Sequence, residues 1–315
     1  MRILVTGVTG FVGQHLVHAW RQQFPTAEIW GVLRKAEAQA SPLHGHFTLD
    51  LAQETAVSQL SQDCAFDWVV HLAAQSFVPE SFARPQETWK VNLWGTFYLL
   101  EALRQGGFQG RLLFVGSGGV YGQVADDHLP VHEQQPLRPL DPYTASKAAA
   151  ELLCYQYGHT APFDIVLTRP FNHIGPGQSS QFVVSNFARQ VAQIDLGRQE
   201  PTLTVGNIAV TRDFLDVRDV VDAYRCLLER GQRGEVYNVC SGRETPLAEV
   251  IATLVGCASC PIEVRRDPTR LRPTDTPRVC GSHEKLTTHT GWQPRRDITT
   301  TLQEVVTYWK GELTR

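Results

Sequence analysis

Short apolar runs and amphipathic stretches alternate along the first half of this chain. Runs of aliphatic and aromatic residues predict strands at 2–6, 28–33, 47–51, 67–74, 111–115 and 164–168. Unbroken apolar runs of about four to eight residues are typical of strands that are buried on both faces of a sheet. Amphipathic helical spacing lies between them, first at Val12, Leu16, Val17 and Trp20. This alternation predicts an α/β fold, with a doubly wound parallel sheet of the Rossmann type.

The pattern loosens beyond Gln181. Helices are predicted at 182–196, 217–229, 246–255 and 300–310, and short strands at 203–205 and 236–239. The stretch 169–178 is dense in proline and glycine, which marks a rigid crossover between two parts of the chain. We therefore expect a dinucleotide-binding domain at 1–170, to which 208–240 return. A smaller α+β lobe that binds substrate is expected at 171–207 and 241–315.

The predicted helix at 89–103 is apolar over more of its circumference than one core contact needs. Its apolar positions include Val91, Leu93, Trp94 and Phe97. A subunit interface would bury the surplus, and the helix that begins at Pro142 could join it. We expect a homodimer, with a helix wedged between the sheet and the lobe as the alternative.

Composition narrows the class of partner. The 315 residues carry a formal net charge of −3, which offers no general attraction to nucleic acid or to an anionic membrane. No apolar run approaches the roughly 20 residues that cross a bilayer, and no signal peptide precedes the first strand. Seven scattered cysteines without a disulfide rhythm suit a reducing cytoplasm. Cys257 and Cys260 lack companion ligands at zinc-site spacing, so we expect no metal.

Three glycines follow the first predicted strand, in the order Gly7-x-x-Gly10-x-x-Gly13, and a helix comes next. Glycines at such a place permit a tight turn and let the amides at a helix N-terminus approach a pyrophosphate. An ordinary strand–helix turn is the weaker interpretation, because the turn joins the extreme N-terminal strand to an amphipathic helix. The pattern therefore predicts a dinucleotide site.

Arg34 follows the second predicted strand, about 20 residues past the glycines. An acidic residue at this place would bind the ribose 2′-hydroxyl of NAD, whereas an arginine accepts the 2′-phosphate of NADP. NADP(H) is therefore the preferred cofactor, and NAD(H) stays open because Arg34 and Lys35 could also be a solvated basic pair. Asp50 is expected on the adenine side, and His71 is expected to be a hydrogen-bonded core residue rather than a catalyst.

A helix should begin at Asp141-Pro142, because aspartate is a good N-cap and proline suits the first helical position. Tyr143 and Lys147 then share one helix face. A neighbouring ammonium lowers the pKa of a phenol below its usual value of about 10 and makes it a usable acid or base. Ser117 follows the fifth strand, at the edge where doubly wound sheets bind ligands. We expect it to donate to a substrate carbonyl oxygen, with an ordinary turn serine as the alternative.

Arginines recur in the C-terminal part of the chain, at Arg212, Arg270 and Arg272. Guanidinium groups match the geometry of phosphate oxygens, so these residues suit a diphosphate. Arginines on solvated loops are the alternative.

The glycine turn, Ser117 and Tyr143-x-x-x-Lys147 together resemble the extended short-chain dehydrogenase/reductases that act on nucleotide sugars. The stretches at 171–178, 205–214, 236–242 and 271–273 are most similar to those of GDP-6-deoxy-4-keto-D-mannose reductases, and the resemblance covers essentially the whole chain. It implies reduction of the C4 ketone of a GDP-linked 4-keto-6-deoxy sugar, GDP-4-keto-6-deoxy-D-mannose, by NAD(P)H to GDP-D-rhamnose.

By the same resemblance, Tyr143 protonates the developing C4 alkoxide, Ser117 holds that oxygen, and Lys147 tunes Tyr143 and binds the nicotinamide ribose. The positions expected to contact the cofactor are Gly7, Gly10, Phe11, Val12, Gly13, Arg34, Asp50, Leu51, Leu72, Ala73, Ala74, Tyr143, Lys147, Pro170 and His173. Those expected to contact the substrate are Ser117, Tyr143, Asn172, Phe182, Asn207, Arg212, Arg270 and Arg272.

One departure separates this chain from the related dehydratases. Elimination of water needs a further acid or base, which those dehydratases carry just before the tyrosine that matches Tyr121, whereas this chain has Gly118-Gly119. The difference argues against GDP-mannose 4,6-dehydratase activity. A nucleotide-sugar 4-epimerase and a reductase that gives GDP-6-deoxytalose stay open. A non-catalytic NADP-sensing protein ranks last, because it has no need of Tyr143 and Lys147.

Overall fold

The computed structural model of the protein describes residues 1–35, 42–267 and 276–315. Its strands are β1 (Arg2–Thr6), β2 (Glu28–Leu33), β3 (Gly45–Thr48), β4 (Trp68–His71), β5 (Arg111–Val115), β6 (Asp164–Pro170), β7 (Asn172–Ile174), β8 (Thr202–Val205), β9 (Thr211–Arg212), β10 (Phe214–Asp216), β11 (Val236–Val239), β12 (Thr245–Pro246) and β13 (Glu263–Arg266).

The helices surround these strands. They are α1 (Phe11–Gln23), α2 (Glu54–Val57), α3 (Val78–Ala83), α4 (Pro85–Trp89), α5 (Gly95–Gln105), α6 (Pro142–Thr160), α7 (Val183–Asp195), α8 (Val217–Arg230), α9 (Leu247–Val255), α10 (Glu284–Thr290) and α11 (Ile298–Thr314). A π-helical turn, Lys90–Trp94, joins α4 to α5. No helix in the described ranges is both long enough and apolar enough to pass through a membrane.

Seven strands form one sheet in which every neighbouring pair is parallel, in the order β3-β2-β1-β4-β5-β6-β11. The chain runs outward from β1 to β3, crosses back to β4 and continues outward in the other direction. The order therefore reverses between β1 and β4, and doubly wound sheets bind their ligands beyond the carboxyl ends of the strands at such a point. The doubly wound α/β fold predicted from the sequence is confirmed.

β1 shows why the centres of the sheet strands are apolar on both faces. Ile3 and Val5 belong to a hydrophobic cluster with residues of α1 and α8, whereas Leu4 belongs to a cluster with residues of α5 and α6. All three side chains are fully buried. Alternate residues of a strand point to opposite faces, so a strand that is covered on both sides has no polar face to display.

A separate hydrophobic cluster lies in the C-terminal part of the chain. It joins α7, α9 and α11 with β8, through residues that include Phe187, Leu203, Ile251 and Leu302. The small sheets are β8 with β13 and β7 with β10, both parallel, and β9 with β12, antiparallel. By contrast, α8 packs in the cluster that contains α1, and β11 pairs with β6 in the large sheet.

The third and fourth predicted strands end earlier than the sequence suggested, and the sixth, predicted at 164–168, extends to Pro170. The third, predicted at 47–51, begins at Gly45 and ends at Thr48. The chain turns after it, because the Asp50 carboxylate accepts a hydrogen bond from the Ala52 amide at 3.0 Å. The fourth strand, predicted at 67–74, is shorter in the structure and ends with β4 at His71. The residues that follow it turn toward the end of β1.

The helix predicted at 89–103 is part of a longer helical run. This run begins at Pro85, passes through the π-helical turn and ends at Gln105. The prediction placed the start too late, because proline suits a first helical turn as well as it suits a loop. The N-terminus predicted for α6 is confirmed: Asp141 and Thr144 form a reciprocal capping box around Pro142.

Candidate active site

The turn between β1 and α1 has a geometry that only glycine permits at two positions. Gly7 has a φ of 70°, and a Cβ on it would lie 2.8 Å from the Ala73 amide nitrogen. A Cβ on Gly13 would lie 2.5 Å from the Gly7 carbonyl oxygen. Gly10 is the N-cap of α1, whose first residue is Phe11. The amides at this helix start face no side chain of the turn, and such a cradle fits a pyrophosphate.

Other predicted cofactor positions lie around this turn. The Leu72 amide donates to the Thr6 carbonyl oxygen at 3.3 Å, and the Ala73 amide donates to Thr6 Oγ1 at 3.2 Å. The half-buried stretch 72–74 therefore lies against the end of β1. The ring of His173 stacks on that of Phe11, with centroids 6.2 Å apart, which brings the segment after Pro170 over the start of α1.

The remaining predicted cofactor positions are dispersed. Val12 packs against the hydrophobic cluster on the α1 face of the sheet. Arg34 is exposed directly after β2, the neighbour of β1. Asp50 is half-buried in its turn after β3, and Leu51 is buried, with its carbonyl oxygen close to Gly95 of α5. The Arg34 guanidinium group thus lies beyond the same edge of the sheet as the glycine turn.

Ser117 and Tyr143 come from distant parts of the chain and meet. Ser117 follows β5, and its Oγ accepts a hydrogen bond from the Gly119 amide at 3.1 Å. Tyr143 lies in the first turn of α6, where the capping box fixes its position. The Ser117 side chain lies close enough to the Tyr143 phenol to act on its pKa as a hydrogen-bonding partner. A ligand oxygen at this edge of the sheet would have two hydroxyl groups within reach.

Lys147 lies one helical turn beyond Tyr143 and is only 3% exposed. Its Nζ lies 4.7 Å from the centroid of the Phe114 ring. Burial lowers the pKa of Lys147 to about 8, while Cys154 and Glu151 act in the opposite direction. The site therefore holds a buried amine whose charge titrates close to the physiological range.

The expectation that the pKa of Tyr143 lies below its usual value is wrong. Burial raises the pKa of Tyr143 to about 12, against the lowering effect of the hydrogen bond with Ser117, and Asp141 raises it further. Desolvation penalises the phenolate more than the site's hydrogen bonding favours it. Tyr143 is consequently protonated at neutral pH, which makes it an acid rather than a base.

Asn92 is a residue that sequence reasoning missed. It is buried in the π-helical turn between α4 and α5. Its Nδ2 donates to Ser146 Oγ at 2.9 Å and to the Gln75 carbonyl oxygen at 3.0 Å, and its Oδ1 accepts from the Gln75 amide at 2.8 Å. Asn92 therefore ties the segment after β4 to the helix that carries Tyr143. The sequence does offer one signal for Asn92, which is an amide side chain within an apolar stretch. An amide that is buried in such a stretch normally has hydrogen-bond partners.

A buried ion pair beside Lys147 was also missed. Arg169 of β6 donates from Nη2 to Glu151 Oε1 at 2.6 Å and from Nε to Oε2 at 2.9 Å, and both side chains are buried. Arg169 Nη1 also donates to the Tyr121 hydroxyl at 2.7 Å. The pair fixes α6 against β6 and against the turn that contains Ser117. No sequence signal marks it, because a glutamate four residues after a lysine is also typical of a solvated helix face.

The prediction that His71 is a core residue is confirmed. Its two ring nitrogens lie 2.7 Å from Thr6 Oγ1 and 3.0 Å from Thr96 Oγ1. Burial lowers the pKa of His71 to about 3, and Lys147 contributes in the same direction. His71 is therefore neutral and is not available as a catalytic base at neutral pH.

The predicted substrate-binding residues are brought together only in part. Phe182, the N-cap of α7, packs edge-on against Phe77, with ring centroids 6.1 Å apart, so α7 begins close to the segment after β4. Asn172 is exposed on β7.

Two further substrate positions lie in the C-terminal part. Arg212 Nη1 donates to the Thr276 carbonyl oxygen at 2.7 Å, and Asn207 Oδ1 accepts from the Ala209 amide at 3.0 Å. Both side chains are half-buried. Arg270 and Arg272 lie outside the described residues.

The two glycines after Ser117 have no room for side chains. A Cβ on Gly118 would lie 2.8 Å from the Phe171 ring, and a Cβ on Gly119 would lie 2.7 Å from Thr144 Cγ2. The packing of the turn against Phe171 and α6 thus leaves no space for an acidic residue at either position unless these neighbours shift. Within the described residues, no group of three or more His, Cys, Asp or Glu side chains is placed to hold a metal ion.

Comparison with known proteins shows similarity over nearly the whole chain. The family model described as GDP-mannose 4,6 dehydratase matches residues 4–305. The GDP-6-deoxy-D-mannose reductase of Pseudomonas aeruginosa is 43% identical over 312 residues, which are 99% of this chain and 98% of that protein. The structure of RMD from Pseudomonas aeruginosa complexed with NADPH superposes with a TM-score of 0.89 at 41% identity, and the match covers 99% of each chain.

An epimerase has nearly the same fold. The UDP-glucose 4-epimerase of Thermus thermophilus, in complex with NAD, superposes with a TM-score of 0.86 at 32% identity, and the match covers 99% of each chain. Together with the family model and the reductase, this shows that the similarity to nucleotide-sugar enzymes extends over nearly the whole chain. The chain belongs to the GDP-mannose 4,6 dehydratase family, a family of nucleotide-sugar enzymes of the short-chain dehydrogenase/reductase type.

Proposed function

We propose that this protein is an oxidoreductase that uses NADPH to reduce the C4 ketone of GDP-4-keto-6-deoxy-D-mannose to GDP-D-rhamnose. The observation that carries the proposal is the meeting of the Ser117 and Tyr143 hydroxyl groups, with Lys147 buried one turn away, at the sheet edge that also holds the glycine turn. The relative that is 43% identical is named GDP-6-deoxy-D-mannose reductase, and a neighbouring structure is complexed with NADPH.

Residues of the chain bind the ketone oxygen and protonate it. The glycine turn between β1 and α1 would hold NADPH, which would supply the hydride for C4. Ser117 and Tyr143 donate hydrogen bonds to the oxygen, whose negative charge develops only during the reaction, so these bonds stabilise the transition state more than the substrate. Tyr143 gives its proton to the forming alkoxide. The ammonium of Lys147 then favours the phenolate left on Tyr143, which eases the proton transfer.

The turn after Ser117 supports reduction over dehydration. Dehydration would need a further proton-transfer group beside the sugar, and Gly118 and Gly119 have neither such a group nor space for one. The name of the family model therefore describes the family and not the reaction that we propose for this chain.

The cofactor preference rests on Arg34. Its exposed guanidinium follows β2, where it can bind the 2′-phosphate of NADPH, with NADH as the alternative cofactor. We extend the proposal to the predicted organisation of the chain. Residues 1–170 with 208–240 would bind the cofactor, and 171–207 with 241–315 would bind the GDP-sugar.

The proposal is tested by incubating the protein with NADPH and GDP-4-keto-6-deoxymannose. We expect stoichiometric loss of the NADPH absorbance and a product whose C4 configuration, read by NMR, is that of rhamnose rather than 6-deoxytalose. Folded protein that leaves the NADPH absorbance unchanged contradicts the proposal.

A nucleotide-sugar 4-epimerase is the second candidate, because the Thermus thermophilus epimerase has nearly the same fold. The same two hydroxyl groups and lysine would serve it, but the hydride would return to the sugar. An epimerase would interconvert the C4 epimers of a nucleotide hexose with its cofactor retained and with no net consumption of NADPH. A single assay that follows both absorbance and sugar configuration separates the two candidates.

We also propose that the protein is a homodimer and that it lies in the cytoplasm. Trp94 is 50% exposed beside α5, and Leu152 and Tyr155 of α6 are 62% and 50% exposed. Large apolar side chains that are exposed on two neighbouring helices are typical of an interface. Light scattering should give the mass of a dimer, and Leu152→Glu should give that of a monomer. A monomeric wild-type protein would contradict the dimer.

A further inference from the structure

A cavity of about 120 Å³ lies between the turn that follows Ser117 and the start of α6, and it has no role in the mechanism above. Its wall includes Gly118 and Gly119, which directly follow Ser117. It also includes Asp141 and Thr144, which lie on either side of Tyr143 in the chain. The cavity is therefore lined by the chain neighbours of both residues that would hold the ketone oxygen.

The rest of the wall is mainly apolar. It is contributed by residues from several separate segments, among them Leu129, Val131, Phe171 and Val279. The charged groups that reach the cavity have partners: the Asp141 carboxylate accepts from the Thr144 amide at 2.8 Å, and Arg278 donates to both carboxylate oxygens of Glu244 at 2.8 Å. Burial of a hydroxyl group without a partner is costly, so the cavity favours an apolar occupant.

We propose that this cavity receives the C6 methyl group of the sugar and thereby selects 6-deoxy sugars, an inference that rests on the reductase function proposed above. The C4 ketone has two carbon neighbours in the ring. C5 carries the methyl group, whereas C3 carries a hydroxyl group. With the C4 oxygen held by Ser117 and Tyr143, one of these two sides faces the cavity, and the apolar wall matches the methyl side.

The glycines after Ser117 keep this space open. A Cβ on Gly118 would press against Phe171, and a Cβ on Gly119 would press against Thr144, and both of these contacts are wall residues. A side chain at either position would have to displace the wall. The same feature that leaves no acid for dehydration therefore leaves the cavity for an apolar group.

The test is to fill the cavity and to compare two substrates. Leu129→Phe enlarges a half-buried wall residue. The substrates are GDP-4-keto-6-deoxymannose and a GDP-linked 4-keto pentopyranose, which lacks C6. We expect kcat/KM to fall by roughly tenfold or more for the 6-deoxy sugar, the usual cost of a misplaced methyl group in an apolar pocket, and to stay unchanged for the pentose. Leu137→Phe is the matched control, because Leu137 packs in the same hydrophobic cluster but not in the cavity wall.

Each outcome decides the question. Equal losses for both sugars, or no loss for either, overturn the assignment of the cavity to C6 while the reductase function stands. A wild-type protein that oxidises NADPH with neither sugar overturns the proposed function and the inference with it. If Leu129→Phe fails to bind NADPH, Val279→Phe, on another segment of the wall, decides by the same ratio of the two kcat/KM values.

Discussion

Because Lys147 is buried, we expect its ammonium group to lower the free energy of unfolding of the protein. Lys147 is 3% exposed, and burial lowers its pKa from 10.5 to about 8. Methionine has a similar length and no charge, so Lys147→Met fills the same space without the desolvation penalty. We expect this variant to have a higher free energy of unfolding than the wild-type protein at neutral pH, although it loses the ammonium on which turnover depends.

The size of the gain follows from proton linkage. The difference between 10.5 and about 8, at about 1.4 kcal/mol per pH unit, corresponds to a penalty of about 3–4 kcal/mol while the amine is charged. The contact of the ammonium with the Phe114 ring, at 4.7 Å from the centroid, offsets about 1 kcal/mol of this. We therefore expect Lys147→Met to add about 2–3 kcal/mol to the free energy of unfolding.

The pH dependence of this gain has a definite sign. Below about pH 8, Lys147 is protonated in both the folded and the unfolded chain, so the whole penalty is present. Between about pH 8 and pH 10.5, the unfolded chain binds more protons than the folded protein, so wild-type stability rises with pH relative to the variant. The advantage of Lys147→Met should shrink across this window and disappear above it.

Urea unfolding of the cofactor-free proteins at about pH 7 and about pH 10 measures both effects, provided that each protein is folded at both values. Lys90→Met is the matched control, because Lys90 is exposed and its removal should change little at either pH. The reasoning is refuted if Lys147→Met is no more stable than Lys90→Met at neutral pH. It is also refuted if the difference between the two variants is the same at both pH values.

Three shorter predictions address the acid, the cofactor and the ion pair. Tyr143→Phe should lower kcat/KM by about 10²–10⁴-fold with an unchanged Kd for NADPH in fluorescence titration, and normal turnover would place the acid elsewhere. Arg34→Asp should weaken the binding of NADPH more than that of NADH, and equal losses in the same titration would show that Arg34 does not read the 2′-phosphate. Glu151→Gln should lower the free energy of urea unfolding by about 3–5 kcal/mol, because it leaves Arg169 buried without a carboxylate. A loss well below that range would mean that other partners satisfy Arg169.

The parts of the fold that the sequence could predict are those whose causes are local. β1 is apolar from Ile3 to Val5 because helices cover both faces, and this shows in the sequence as an unbroken apolar run. The start of α6 depends on Asp141, Pro142 and Thr144, which are neighbours in the chain, so the cap could be predicted and was found. The glycine turn is local in the same sense, since Gly7 and Gly13 approach each other within one turn.

The parts that could not be predicted are those where distant segments meet. Glu151 and Arg169 lie on different elements, and nothing in the local pattern of either shows that they are buried together. The pKa of Tyr143 was predicted in the wrong direction for the same reason. The spacing to Lys147 shows in the sequence, whereas the depth at which α6 is buried does not.

The ion pair between Glu151 and Arg169 explains how one helix face can carry both an ammonium and a carboxylate in its interior. Tyr143, Lys147 and Glu151 are spaced four residues apart, so all three lie on the same face of α6. If the Glu151 carboxylate bound Lys147, it would cancel the positive charge that should favour the phenolate form of Tyr143 after proton transfer. Instead, both oxygens of Glu151 accept from Arg169. Arg169 thereby holds the Glu151 carboxylate in its own hydrogen bonds, and Glu151 acts on Lys147 through space, raising its pKa.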